Sequence, residues 1–198
     1  MNKRTMAGIG LAVSLAFSTL APQAASAYPP GVGMQVAALS NLVKWRSSTR
    51  IVATDVEAGR VSFSVDGKVN QYFYPKKDGS TQSWLFWPYR PGKFVVTVTS
   101  GSQVKSTVVY SPQKPKLPRR ISVRRSFPVD LKYVAPGTQV SVTVNGAVVA
   151  SDVAGQDGLI TITVPARSLD RGANTVLVNY GGSIITGGRV GGLDRKSV

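Results

Sequence analysis

The residues that could do covalent or acid–base chemistry are few in this chain of 198 residues. It has no histidine and no cysteine, so Ser-His-Asp and Cys-His arrangements, thiolate nucleophiles and imidazole metal ligands are all excluded. Of its nine acidic residues, Asp66, Asp78 and Asp157 each stand directly before glycine, a common position for a turn aspartate. Nothing in the spacing of the others indicates the paired carboxylates of a glycosidase. We therefore predict that the protein is not an enzyme and needs no cofactor.

Two acidic residues near the middle of the second half, Asp152 and Asp157, offer the hard oxygen ligands that calcium prefers. Their spacing lacks the dense alternation of acidic residues that a calcium loop needs. We interpret them as solvated loop charges and expect no metal site.

A run of four bulky apolar residues in the first half could instead bind a ligand. The chain has two similar halves, and alignment on the turn before this run or on the proline after it places Leu85 or Trp87 opposite Val164. Both alignments predict that Leu85 and Trp87 face the core. Because side chains alternate along a strand, Trp84 and Phe86 are then predicted to face outward.

Two tyrosines share a face on a neighbouring segment, Tyr72 and Tyr74. With Trp84 and Phe86 they make up a predicted aromatic binding face, suited to stacking sugar rings or to burial against a protein partner. The alternative is that the apolar segment of residues 36–45 packs over this face as an added layer.

Basic residues supply the other candidate site. The formal net charge is +15, and six positive charges fall within twelve positions, with Lys76 and Lys77 elsewhere in the first half. Such a cluster is a predicted site for polyanions, and the alternative is a solvated hinge stiffened by charge repulsion. The sequence offers no base-reading geometry, so no specific nucleic acid is expected. The six residues are Lys114, Lys116, Arg119, Arg120, Arg124 and Arg125.

The first residues indicate where the protein works. Lys3 and Arg4 precede an apolar stretch from Met6 to Leu20, followed by Ala-Ser-Ala at 25–27, which is the pattern of a cleaved secretory signal peptide. The apolar stretch is too short to span a bilayer as a helix, so no membrane span is expected in the mature chain. Removal of residues 1–27 leaves 22 basic and 9 acidic residues, a net charge of +13. We expect a secreted protein, either extracellular or associated with the cell wall.

The elements that position these residues are read from an internal repeat. VSFSVDG at 61–67 and VSVTVNG at 140–146 are near-copies of one strand and turn, 79 residues apart, and an Asp-Gly turn follows each at the same distance. Valine and phenylalanine alternate with serine and threonine in both copies, which indicates strands with one buried face. No segment after residue 27 has a sustained helical period.

The predicted fold class is all-β, with two tandem antiparallel Ig-like β-sandwich domains after the signal peptide. A period of this length fits two small β domains better than a solenoid. We predict an extended leader at 28–35, a first sandwich at 36–110, a proline-rich basic linker at 111–120 and a second sandwich at 121–198.

The second half, from Pro136 to Gly182, resembles the bacterial Ig-like domains of secreted and surface proteins. The resemblance lies in the strand ending at Asn145-Gly146, the Asp157-Gly158 turn and the strand end at Val164-Pro165. The first half resembles this family more loosely. The resemblance implies a non-catalytic extracellular module for adhesion, display or spacing, and it carries no family-wide active site.

Together these features predict a secreted, non-enzymatic binding or structural module at the bacterial envelope, retained on an anionic cell-wall polymer or polysaccharide. One alternative is a carbohydrate-binding module that uses the aromatic face. Another is an accessory or inhibitor protein of a secreted enzyme, with another secreted protein as its partner.

Overall fold

The computed structural model describes residues 33–194, and these residues form strands and loops without any helix. The predicted signal peptide and residues 28–32 of the predicted leader lie outside the described residues. Within the described part, no helix is long and apolar enough to cross a membrane. The prediction of an all-β, antiparallel fold is confirmed.

Fourteen strands occur in residues 33–194. In chain order they are β1 Gln35–Ala38, β2 Thr49–Val56, β3 Val61–Val65, β4 Lys68–Phe73, β5 Ser80–Phe86, β6 Gly92–Ser100, β7 Gln103–Ser111, β8 Arg120–Ser122, β9 Phe127–Lys132, β10 Gln139–Val144, β11 Ala147–Val153, β12 Leu159–Val164, β13 Gly172–Tyr180 and β14 Ile184–Leu193.

The first seven strands enclose one hydrophobic core. A three-stranded sheet in the order β1-β2-β5 faces a four-stranded sheet in the order β4-β3-β6-β7. Side chains from both sheets meet in this core, among them Ile51 and Phe86 from the first and Phe63 and Phe94 from the second. The alternation that predicted Phe63 as inward is confirmed, because it is fully buried.

The last seven strands enclose a second core. A five-stranded sheet in the order β11-β10-β13-β14-β8 faces the pair β12-β9. Leu131 and Ile162 of the small sheet pack with Val142 and Val178 of the large one. All neighbouring strands are antiparallel except β8, which runs parallel to β14.

The two near-copies of the sequence repeat form equivalent hairpins. Asp66 and Asn145 both have positive φ, 49° and 50°, and each is followed by a glycine with positive φ. This is the backbone of a type I′ turn, whose twist matches that of the strands beside it. Asn and Asp tolerate the first position of such a turn because their short side chains adopt left-handed conformations more readily than others do.

The ordered fold begins earlier than the sequence predicts. Met34, assigned to the extended leader, is fully buried in the first core. Its backbone amide donates to the side-chain oxygen of Gln103 at 2.6 Å. The leader interpretation is wrong at this residue because an apolar side chain next to β1 has a core within reach.

Candidate functional site

The predicted aromatic face does not have the predicted orientation. Phe86 is 3% exposed and Trp84 is partly buried against the first core, whereas Leu85 and Trp87 are 38% and 55% exposed. The prediction that Trp84 and Phe86 face outward is therefore wrong. These two side chains face the core, and Leu85 and Trp87 face solvent.

A one-residue difference between the two halves explains this error. In the first half the inward series begins at Ser80, one residue after Gly79, whereas in the second half it begins at Ile160, two residues after Gly158. The pairing of β2 with β5 contains a register shift between Ala53 and Val56 that the pair β9-β12 lacks. Because side chains alternate with a period of two, a slip of one residue turns the whole strand over.

Trp84 and Phe86 belong to a chain of packed rings between the two sheets. Phe86 contacts Phe94 edge-on with ring centroids 5.4 Å apart, and Trp84 lies 5.6 Å from Phe86 and 6.1 Å from Phe63. The four-stranded sheet therefore covers these rings. Of residues 36–45, β1 extends the edge of the sheet beside β2, and Val43 is buried in the same core. Edge-on ring pairs of this kind stabilise a core beyond the area that they bury.

The two tyrosines lie elsewhere. Tyr72 is on β4, in the sheet opposite β5, and Tyr74 follows the end of that strand. Both are exposed, and the guanidinium of Arg60 lies 5.5 Å from the Tyr72 ring centroid. The structure therefore does not bring Tyr72 and Tyr74 together with Trp84 and Phe86 as one binding face.

The carboxylates of the turn aspartates accept hydrogen bonds from backbone amides. The Asp66 carboxylate accepts from Val95 N at 2.9 Å, and that of Asp157 accepts from Leu159 N at 3.0 Å. The Asp152 carboxylate likewise accepts from the neighbouring amide of Val153. Among residues 33–194, no three acidic, histidine or cysteine side chains are grouped as metal ligands.

The basic segment is packed against the protein. Pro112 and Pro115 are buried, and Leu117 packs on the second core. Gln113 N donates to the carbonyl oxygen of Lys132 at 3.1 Å. The interpretation of residues 111–120 as a solvated hinge is therefore wrong, because extended chain rich in proline still buries apolar side chains where a neighbouring surface accepts them.

The end of this segment is fixed by the last strand. Gly191 N donates to the carbonyl oxygen of Arg119 at 2.9 Å, and β8 then pairs with residues 191–193 of β14. Gly191 permits the close approach, since a Cβ there would stand 3.3 Å from the carbonyl oxygen of Arg119 and 3.2 Å from Cγ of Arg120. At the neighbouring Gly192 a Cβ would collide with the carbonyl oxygen of Asp170 and stand 3.0 Å from a methyl group of Val123. The sequence signal for this contact, the paired glycines at the end of β14, lies about 70 residues from the segment that it receives.

Six exposed basic side chains project from this fixed segment, and we call them the basic strip. Their backbone is held while their side chains face solvent. The only ion pair among residues 33–194 joins Arg171 to Asp194, outside the strip. The strip consists of Lys114, Lys116, Arg119, Arg120, Arg124 and Arg125.

A shallow groove of about 220 Å³ adjoins the strip. It is lined by Gln113, Lys114, Lys116, Asp130 and Lys132, so three lysines surround one carboxylate. Thr161 donates its hydroxyl to that carboxylate at 2.8 Å. Sequence reasoning missed Lys132, although its place at the outward end of the alternating run on β9 is visible in the sequence.

No protein-family model matches the chain, and no curated protein matches it in sequence. Solved structures resemble it at low identity. The D0-D1 domain of intimin is 12% identical with a TM-score of 0.33, covering 79% of this chain and 94% of that one. A C-terminal 282-residue fragment of intimin, solved with the intimin-binding domain of the translocated intimin receptor, is 14% identical with a TM-score of 0.41.

Invasin, described as a bacterial integrin-binding protein, is 12% identical with a TM-score of 0.35, and the match covers 79% of this chain. This chain spans 63% of the intimin fragment and 39% of invasin. Scores this low carry no argument, so the functional conclusion depends on the geometry of the chain itself.

Proposed function

We propose that this chain is a non-enzymatic binding module of the bacterial envelope, retained on an anionic polymer by the basic strip. The observation that carries the proposal is the docked segment, residues 112–125, which presents six cations. Its backbone is held at Gln113, at Arg119 and β8, and in the turn where Arg125 N donates to the Ser122 carbonyl oxygen. A flexible hinge with the same charges would lose conformational entropy on binding, whereas a docked segment has lost most of it during folding.

The strip has the charge distribution that a polyanion requires. Its side chains form no ion pair with a described residue, and in the adjoining groove Lys114, Lys116 and Lys132 outnumber the single carboxylate of Asp130. In extended chain alternate residues lie about 7 Å apart on one side, so Lys114 and Lys116 present a repeating charge to a linear partner. A polymer with many weak charges suits such a surface better than a small molecule does.

The location follows from the sequence. We propose that residues 1–27 direct export, and that the two cores belong to two Ig-like domains joined through the docked segment. An exported protein with a net charge of +13 meets anionic wall polymers and polysaccharides outside the cell.

The test is a titration of the full chain with purified teichoic acid over a range of salt concentrations. Each phosphate contact contributes about 0.7–0.9 to the slope of log K against log salt on a polyanion. Six contacts therefore predict a slope near −5, and a loss of affinity of roughly a thousandfold between about 50 and 200 mM salt.

Two variants of equal charge separate the strip from net charge. The strip variant replaces Lys114, Lys116, Arg119 and Arg120 with glutamine and is expected to reduce the magnitude of the slope by about 3. The control replaces four exposed lysines of the first sandwich and is expected to leave the slope close to wild type. Equal effects of the two variants would show that net charge alone drives binding. The control set is Lys68, Lys76, Lys77 and Lys105.

A further inference from the structure

A second cavity lies where the loop after β1 meets the last hairpin. It encloses about 320 Å³, near the lower end of the range for small-ligand pockets, about 300–1,000 Å³. Pro91, Pro112 and Ile184 supply apolar walls, and Gln113 and Thr186 supply polar groups. We call this space the junction cavity. Of the residues that line the junction cavity, only Lys114 belongs to the basic strip.

Trp45 is held in place at the cavity wall. Its indole Nε1 donates to the carbonyl oxygen of Tyr89 at 3.3 Å, and it sits in a turn closed by Ser47 N donating to the Lys44 carbonyl oxygen at 2.9 Å. The Arg46 guanidinium lies 4.5 Å from its ring centroid. Although fixed by these contacts, Trp45 is 44% exposed. A rigid, half-exposed indole in a cavity wall is a surface on which a ring can stack.

Tyr180 supplies a polar group without a protein partner. It is 1% exposed and forms part of the cavity wall, yet its hydroxyl has no hydrogen-bond partner among residues 33–194. A buried hydroxyl without a partner is destabilising, and most such groups in folded proteins are paired. Burial raises the pKa of Tyr180, so the phenol keeps its proton and remains a donor at neutral pH.

The charge at the cavity is positive. Lys44 and Lys114 belong to its lining, and no described residue that lines it is acidic. The cavity also adjoins two grooves. It shares Lys44 and Ile184 with a groove of about 430 Å³, and Gln113 and Lys114 with the basic groove.

We infer that the junction cavity binds a six-membered sugar ring that carries a carboxylate, as one unit of an acidic polysaccharide. The apolar face of the ring would stack on Trp45, the carboxylate would lie between Lys44 and Lys114, and a ring oxygen would accept from the Tyr180 hydroxyl. This inference rests on the proposed function and deepens it, because it names one class of anionic polymer, a polysaccharide with carboxylate-bearing sugars.

The test is a fluorescence titration of the full chain with trigalacturonate, using maltotriose as the neutral ligand of equal length. We expect quenching by trigalacturonate that persists at about 200 mM salt, because stacking and hydrogen bonding are screened far less than surface charge. Maltotriose should bind at least tenfold more weakly. Equal binding of the two ligands would overturn the assignment of a carboxylate.

Two variants place the ligand in the cavity, with affinity read by titration calorimetry beside the fluorescence. Trp45→Phe should abolish the quenching and lower the affinity, whereas Trp87→Phe, which changes the most exposed tryptophan of the first sandwich, should retain both affinity and quenching. Tyr180→Phe keeps the ring and removes one hydrogen bond, so we expect affinity to fall about tenfold without loss of folding. Wild-type affinity in both Trp45→Phe and Tyr180→Phe would overturn the inference.

The outcome also separates this inference from the proposed function. Salt-dependent binding of teichoic acid with no preference for trigalacturonate would overturn the sugar site and leave the basic strip standing. Absence of binding to either polyanion would contradict both proposals.

Discussion

Replacement of Phe86 by alanine is expected to destabilise the first sandwich far more than replacement of its neighbour Trp87. Phe86 is 3% exposed and contacts two rings, Phe94 at 5.4 Å and Trp84 at 5.6 Å. Deletion of a buried phenylalanine side chain costs about 3–5 kcal/mol, since the lost transfer energy adds to that of the cavity left behind. Trp87 is 55% exposed, so Trp87→Ala should cost at most about 1 kcal/mol.

The measurement is urea unfolding of the wild type and both variants, followed by circular dichroism, with thermal melts in parallel. A loss of about 4 kcal/mol corresponds to a fall in Tm of roughly 8–16 °C for a chain of this size. The m-value should stay constant, since neither change alters the surface exposed on unfolding by much. A loss of stability in Trp87→Ala equal to or larger than that in Phe86→Ala would refute the orientation of β5.

Two further predictions concern the second sandwich. Gly192→Ala should lower the free energy of unfolding, measured in urea, by about 1–3 kcal/mol, because its Cβ would collide with the Asp170 carbonyl oxygen. The control is Gly188→Ala on the same strand. Its Cβ would lie 3.6 Å from Leu117, an ordinary contact, so this change should be nearly neutral. Equal costs would contradict the close approach at Gly192. Burial raises the pKa of the Tyr180 phenol above its ordinary value of about 10, so the phenol loses its proton at a lower pH in the unfolded chain than in the folded one. The free energy of unfolding therefore falls as pH rises above about 10, by up to about 1.4 kcal/mol per pH unit. Melts at about pH 9 and 11 should show a larger drop in Tm for wild type than for Tyr180→Phe, and equal drops would contradict the burial of the phenol.

The strand pattern could be predicted where apolar and polar residues alternate. Phe63 in VSFSV and Ile162 in ITITV are buried as their spacing predicts. The serine and threonine residues between them mark the solvent-exposed face of each strand. The run from Trp84 to Trp87 has no alternation, so its orientation depends on the turn before it. That turn differs by one residue between the halves, and the bulge at Ala53–Val56 belongs to a partner strand. The orientation of this run therefore depends on pairing with a strand distant in the sequence, which the local residues do not reveal.

The docked segment could likewise be predicted only in part from the sequence. Proline density predicts extended chain in residues 111–120, but composition does not show whether such a segment packs on a neighbouring surface. The surface is supplied by Lys132 and by Gly191 on β14, far along the sequence. The basic residues themselves could be read from the sequence, whereas their fixed arrangement could not. The alternative that residues 36–45 pack on the first sandwich holds only in part, because Val43 is buried whereas a turn at Lys44–Ser47 leaves Trp45 half exposed.

The central claim is that an anionic polymer lies along the docked segment, and lysine acetylation read by mass spectrometry tests it most directly. With teichoic acid bound, Lys114, Lys116 and Lys132 should be protected from the reagent, while Lys68 and Lys105 of the first sandwich should react as they do in the free protein. Protection spread evenly over all five lysines, or confined to the first sandwich, would contradict the account.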